Sequence, residues 1–463
     1  MNNSYDITIL GGGPGGYVAA IRASQLGLNT AIIDQDPLGG VCLNWGCIPT
    51  KSLLKSAEMI NSVKNAEQYG IKISSYKIEH SVIINRSRQI SERLSKGISF
   101  LMKKNNIKHI HGRGVFSSKN SIKVSNGKKV TNIQSKNFII ATGGRPKNVP
   151  GFSFDGKQII SSKEAMVLNK PPKDMVIIGA GAIGCEFAYF YNTCGTKVIM
   201  VEMMDRILPM EDEDISKELN NRFVDSGVVI NTNAIVEKVE KLKTKVKVHI
   251  KNGNKKIVVE SSTVLIAIGI TGNVDDIGLN TIGVNIDNGS IIIDEYGQTN
   301  IPNIFAIGDV SGPPWLAHVA SAQGHVAVEK IANHNTRPVD YSNIPSCTYC
   351  QPQVASLGLT EAKAKEQGYK IKVGKFYFKS SGKALSIGEP NGFVKIIFDS
   401  KYGELLGCHI IGAEATEMIQ ELVIAKSLEA TWENLALTMH PHPTLSESIM
   451  EAALDAYGIG VHQ

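Results

Sequence analysis

Two cysteines five positions apart, Cys42 and Cys47, stand in the glycine-rich stretch GGVCLNWGCIPTK from Gly39 to Lys51. At that spacing a pair of thiols is a structural staple in a secreted domain, and metal or redox chemistry in a cytosolic one. A second pair with zinc spacing does not stand nearby, which leaves a dithiol–disulfide couple as the sharper expectation. Helical residues i and i+5 do not face each other squarely, so a bridge here needs a distorted turn, and glycine gives that freedom. Near the other end, MHPHPTLSESIMEAA (Met439 to Ala453) places Glu447 five residues beyond His442, as a helix begins. A carboxylate beside an imidazole fixes its tautomer and makes a general base for a thiol. Ser446 and Glu447 also read as plain helix-start residues.

The other five of the seven cysteines offer less. Cys185 and Cys194 read as core residues of a helix, and Cys408 as packed in a strand. Cys347 and Cys350 form C-x-x-C in SCTYCQP, but that segment reads as an extended strand.

Elements that could position such residues come in two copies. YDITILGGGPGG is an apolar strand meeting Gly11, Gly13 and Gly16, followed by a helical stretch, a second strand and Asp34. DMVIIGAGAIG repeats the pattern with Gly179, Gly181 and Gly184, and Glu202 ends the next strand. In both, 18 positions separate the third glycine from the acid. The glycines allow a tight turn, backbone approach to a pyrophosphate and close helix–strand packing, while the acid suits a ribose hydroxyl. Two dinucleotides are implied. NFIIATGG (Asn137 to Gly144) and VLIAIGITG (Val264 to Gly272) echo each other late in the two units, so the second unit reads as an insertion in the first. NIFAIGDV (Asn303 to Val310) ends a further strand at Gly308-Asp309, whose carboxylate reads either as one that meets the cofactor crevice or as a simple turn aspartate.

At 463 residues the chain suggests about three domains. A hydrophobic share of 42% with 20% charged residues is that of a soluble globular protein. The N-terminus lacks the pattern of a secretory signal and no run of 18 apolar residues appears, so the expectation is a cytoplasmic protein without a membrane span. The net charge of +6 is small for this length, and the basic run KLKTKVKVHIK (Lys241 to Lys251) alternates like a strand with one solvated face, so no nucleic-acid partner is expected.

Along its whole length the chain resembles the flavin disulfide oxidoreductases. GGGPGG at Gly11–Gly16, CLNWGCIPTK at Cys42–Lys51 and ATGG at Ala141–Gly144 carry the resemblance, with GAGAIGCE at Gly179–Glu186, AIGD at Ala306–Asp309 and HPTLSE at His442–Glu447. It implies an α/β fold: two Rossmann-like dinucleotide-binding domains, for FAD and NAD, plus an α+β C-terminal dimerisation domain. The expected divisions are 1–150 for the first part of the FAD domain with the redox disulfide, 151–272 for the NAD domain, 273–340 for the part completing the FAD domain, and 341–463 for dimerisation and the histidine. FAD is implied at Gly11, Gly13, Gly16, Asp34, Lys51, Gly114, Gly143, Asp309 and Ala317, and NAD at Gly179, Gly181, Gly184, Glu202, Val236 and Gly269. Lys51 and Glu186 match an ion pair beside the reactive flavin nitrogen. Cys42 would exchange with substrate, Cys47 would abut the flavin, and His442, oriented by Glu447, would be the base for the cysteines of the other subunit in a homodimer. No metal is implied.

The likeness is strongest to the branch that oxidises dihydrolipoamide with NAD, whose partners carry lipoyl groups on an acyltransferase or a glycine-cleavage carrier protein. Glutathione and trypanothione reductases use NADPH, whose 2′-phosphate Glu202 would repel. Mercuric reductases typically end in a cysteine pair, whereas this chain ends AYGIGVHQ. Related oxidases and peroxidases use a single active-site cysteine. A non-catalytic scaffold would be expected to have lost one of Cys42, Cys47, His442 and Glu447. The chain departs from the family at IGITGN (Ile268–Asn273), where many relatives have two arginines, at Trp315 in GPPWLAH, and at Gln353, where relatives often have glutamate.

Overall fold

The computed structural model describes residues 3–149 and 151–462; the expected domain limit at Pro150 falls outside them. Two compact units emerge, each assembled from three stretches of chain.

The first comprises Met1–Leu53, Ser81–Lys147 and Gly269–Val339. Ser4–Leu10, whose Ile7 and Ile9 are fully buried, pairs in parallel with Thr30–Asp34 on one side and Lys129–Ile140 on the other. Lys108–His111 extends the parallel sheet beyond Thr30–Asp34, and Ile304–Ala306 runs parallel beside Lys129–Ile140. Near-continuous apolar strands are what a parallel sheet covered on both faces requires. Helix Pro14–Gln25 starts at Gly13 with proline in its first turn, where a missing N–H costs nothing. Arg113–Ser118 and Ser121–Asn126 form an antiparallel meander on the long strand.

The second comprises Leu54–His80, Asn148–Ile268 and Asp340–Gln463. Asp174–Ile178 lies between Lys197–Val201 and Thr263–Ile266 in a parallel sheet that repeats the first, with helix Ala182–Thr193 after its glycine loop. A three-stranded antiparallel sheet, Ala234–Lys241, Val246–Asn252 and Lys255–Ser261, follows. The basic run Lys241–Lys251 is therefore a hairpin rather than one strand. The Leu242 N–H donates to the Lys245 carbonyl at 2.8 Å and closes the turn. The C-terminal part is a five-stranded antiparallel sheet covered by helices Ala415–Ser427 and Glu447–Asp455, with Ile396, Phe398, Leu422, Ile449 and Ala452 in its core. Within this unit the Lys395 ammonium, 4% exposed, meets Asp212 at 2.9 Å, Asp214 at 2.9 Å and Glu361 at 2.7 Å. A buried cation is tolerated only with such partners, and losing them costs about 3–5 kcal/mol.

The two echoed segments end in Gly144–Pro146 and Ile270–Gly272, which pair antiparallel with each other, Gly272 opposite Gly144. In the departing IGITGN sequence, Thr142 and Asn273 exchange side chain-to-backbone bonds of 2.9 Å each, and Arg145 donates to the Asn273 side chain at 3.1 Å. Gln353, another departure, accepts from the Thr416 hydroxyl at 2.8 Å and its N–H at 3.2 Å, at the start of helix Ala415–Ser427. No helix among the described residues is long and apolar enough to cross a membrane.

Candidate active site

Cys42 lies on helix Gly40–Trp45 and Cys47 opens helix Cys47–Lys64. Between them Gly46, at φ −143° and ψ −112°, ends the first helix, the distorted turn that the spacing requires. Gly40 has φ +57°, and a Cβ there would lie 2.6 Å from the Gly13 Cα. The Gly39 N–H donates to the Gly12 carbonyl at 2.8 Å. The cysteine segment thus rests on the first glycine loop, and only residues without side chains allow that approach. Asn44 donates to the Pro37 and Gly40 carbonyls at 3.0 Å each, and the Thr50 hydroxyl to the Gly46 carbonyl at 2.7 Å. Arg88 donates to the Asn44 carbonyl at 2.6 Å with its guanidinium over the Trp45 ring.

Both cysteines are present as half-buried thiols. A hydrogen bond with Cys47, then burial, pushes the Cys42 thiol well up; the Lys51 charge opposes this and that of Asp309 adds to it. The contact and burial both favour the protonated form of the Cys42 thiol.

The nucleotide loops match in detail. Gly11 and Gly179 have φ +113° and +98°, a left-handed backbone open to glycine. A Cβ on Gly16 would stand 1.9 Å from the Gly11 carbonyl oxygen, and one on Gly184 2.1 Å from that of Gly179. Gly13 and Gly181 hold the N-cap positions, with no side-chain cap and no acid in either first turn. These N–H groups and dipoles fit a pyrophosphate. The Gly12 N–H donates to Asp34 at 2.5 Å, and the Ala180 N–H to Glu202 at 2.7 Å. Asp34 and Asp309 are raised by burial, Asp34 despite the Asp36 and Gly12 N–H groups. Gly114 lies in the meander, where a Cβ would meet Leu10 Cδ1 at 2.6 Å, and Gly143 has φ +70° beside the paired segment Gly144–Pro146. Ala317 begins helix Ala317–Ile331. Val236 is half-buried in its strand, and the Gly269 carbonyl accepts from the Lys147 N–H at 3.0 Å. The residues present fit both dinucleotides.

His442 Nδ1 lies 2.8 Å from Glu447 Oε1, and the Thr444 N–H donates to Glu447 Oε2 at 2.7 Å. Burial raises the Glu447 carboxyl, but Thr444 and His442 outweigh it and hold it below the usual range. The carboxylate accepts, so Nδ1 carries the proton and Nε2 is the basic nitrogen. The His442 side chain is 80% exposed. Glu186, in the same unit, is buried and accepts from the Tyr349 N–H at 3.0 Å; Lys51 belongs to the other unit.

Each unit therefore gathers part of the expected set: the cysteines, Lys51, Asp34 and Asp309 in one, and Glu186, Glu202, His442 and Glu447 in the other. Sequence reasoning passed over Gly12 and Ala180, though each follows the first glycine of its loop. It also passed over Thr444, whose position three before Glu447 is a capping-box signal. Tyr349 acts through its backbone N–H, which no residue type announces. Cys185, fully buried, donates to the Ala180 carbonyl at 3.3 Å, and its thiol is raised by burial, which marks it as core. Cys194 sits just past the helix end, capping it, rather than within it.

The family described as pyridine nucleotide-disulphide oxidoreductase matches residues 5–324, and its dimerisation domain residues 344–453. A dihydrolipoyl dehydrogenase of Rhizobium etli is 47% identical, over 99% of each chain. That of Bacillus subtilis is 41% identical over the full length of both. Among solved structures, LpdA from Mycobacterium tuberculosis aligns with a TM-score of 0.90 at 27% identity, covering 96% of this chain and 98% of its own. Paired cysteines on a glycine loop, a second such loop and a His–Glu dyad in a dimerisation domain agree with these matches: the chain belongs to the pyridine nucleotide-disulphide oxidoreductase family.

Proposed function

We propose that the protein oxidises protein-bound dihydrolipoamide to lipoamide, with NAD as the acceptor. The observation that carries this reading is the contact of Cys42 and Cys47 across Gly46, against the first glycine loop. Gly11, Gly13, Gly16 and Asp34 would hold FAD, which would supply two-electron transfer between the cysteine pair and NAD.

From the Cys42–Cys47 disulfide, His442 Nε2 takes a proton from one thiol of the substrate. The thiolate attacks the Cys42 sulfur, the disulfide breaks, and Cys47 leaves as a thiolate. The second substrate thiol attacks the substrate sulfur bound to Cys42 as its proton passes to the departing Cys42 sulfur. Lipoamide closes its ring, and Cys42 leaves as a thiol. The substrate has lost two electrons and two protons, and the cysteine pair holds the electrons. A Cys42 thiol that its contact with Cys47 and burial hold in the protonated form suits this division. Lys51 and Glu186 are assigned to the flavin's reactive edge, where an ammonium steadies negative charge and a carboxylate holds the ammonium. Glu202 is assigned to the NAD ribose, and the remaining residues of the two loops keep the roles that the resemblance implies.

The dimerisation domain makes a homodimer, and His442 is assigned to the cysteines of the other copy. Its exposure supports this, as do Leu437 and Met439 beside it, 79% and 94% exposed. The domain scheme of 1–150, 151–272, 273–340 and 341–463 goes with this assignment, as does a cytoplasmic setting with a lipoyl-bearing acyltransferase domain or glycine-cleavage carrier as partner.

Steady-state turnover of the purified holoenzyme tests the reading, with NAD and dihydrolipoamide in one assay and NADPH and glutathione disulfide in another. NADH formation in the first alone is expected. Activity only in the second would overturn the assignments of Glu202 and of the substrate.

A further inference from the structure

His440 stands two residues before His442 in a different setting: its side chain is 5% exposed. Nδ1 lies 2.8 Å from the Thr438 carbonyl oxygen and Nε2 2.8 Å from Glu421 Oε1. Both oxygens only accept. A neutral imidazole has one N–H and satisfies one of them; the doubly protonated ring satisfies both, with the carboxylate balancing its charge. Glu421 belongs to helix Ala415–Ser427, which the core holds through Met418, Ile419 and Leu422. Within this chain Leu437 and Met439 are exposed and contribute no such packing. His440 is therefore a polar anchor for a segment without an apolar one. Pro441 and Pro443 restrict the backbone on either side of His442, so orientation fixed at His440 carries through to the next imidazole. His440 also reaches the carboxylate that orients His442: burial raises the Glu447 carboxyl, and Thr444, His442 and His440 lower it.

We propose that His440, clamped by Glu421, is a positioning residue that fixes the segment from Thr438 to His442 so that His442 meets the substrate thiol in the orientation Glu447 sets. This rests on His442 being the thiol base. The clamp itself touches no substrate. It belongs with the exchange step and not with electron transfer at the nucleotides.

Two variants of the full-length holoenzyme, His440→Gln and Glu421→Gln, and the double variant test it in two assays. One is dihydrolipoamide oxidation with NAD; the other is reduction of a small quinone by NADH, which needs no thiol base. Each single variant is expected to lose about tenfold or more in kcat with dihydrolipoamide, on the scale of impaired general-base catalysis. The KM for NAD and the quinone rate should stay at wild-type values. The double variant should be no worse than the weaker single, because both changes break one contact. Unchanged kcat in both singles, equal losses in both assays, or multiplying losses in the double variant would each overturn the proposal. Wild-type enzyme that reduces quinone but never turns over dihydrolipoamide would overturn the function reading, and the positioning role with it.

Discussion

A cysteine's chemistry here is set by its neighbour and by the backbone under it. Cys42 and Cys47 are equivalent in type, and their contact, with burial, raises the Cys42 thiol well above its ordinary range. Cys42→Ser or Cys47→Ser should each abolish dihydrolipoamide turnover, by three orders of magnitude or more, since one sulfur cannot complete a disulfide cycle. Both variants should still bind flavin, because the loop contacts at Gly11, Gly13 and Gly16 are untouched. Activity in the dihydrolipoamide assay, set beside the flavin absorbance of the same sample, checks this. Substantial turnover by either variant would mean that the pair is not the relay. That the two cysteines would meet across a distorted turn was legible in the sequence, because their spacing and the glycine between them carry it. The Asn44 and Arg88 bonds that hold the turn were not, since each depends on a carbonyl that folding brings near.

At the scale of elements, the glycine loops are two copies of one device in separate units. In each, the third glycine stands so close to the first glycine's carbonyl that a methyl group displaces the helix. Gly16→Ala is expected to yield protein without flavin. Gly184→Ala should keep its flavin and show a KM for NAD raised by about tenfold or more, as lost close packing weakens that loop. Flavin content by absorbance and NAD kinetics separate the two outcomes, and loss of flavin from Gly184→Ala would contradict the division of labour. The pattern of glycines and terminal acids gave both loops away. The hairpin at Leu242–Lys245 escaped, because its Lys-rich turn lacks glycine and proline and keeps the alternation of its strands.

At the scale of the whole molecule, the antiparallel C-terminal sheet and the dimer decide what the separate residues can do. If His442 serves the other copy, heterodimers of Cys42→Ser and His442→Gln chains regain one intact site, and about half the wild-type rate per heterodimer is expected from twofold symmetry. Purified heterodimers as inactive as either parent would place the histidine and cysteines of one site in the same chain. Stability carries a separate signature at Glu211, a buried carboxyl just before helix Glu213–Asp225. Burial pushes it up to about 7 from an ordinary 4.5. A carboxyl whose folded pKa is raised stabilises the fold fully below its unfolded pKa and loses that contribution as pH climbs through the folded one, here between about 4.5 and 7, by up to about 3 kcal/mol. Glu211→Gln has no such slope, so its melting temperature relative to wild type should improve from pH 5 to pH 8. A constant difference across that range would refute the argument.

The sequence alone determined the glycine loops, the cysteine pair and the His–Glu dyad, because each is written in residues close together along the chain. Strand, glycine turn, helix and acid follow within about thirty positions, a distance over which local geometry and hydrophobic pattern suffice. Tertiary structure alone decided that the cysteine segment rests on Gly13, that Tyr349 holds Glu186, and that Glu421 reaches back to His440. Those contacts join distant stretches through backbone groups and buried charges, whose partners are chosen when the core packs and not by the spacing of side chains.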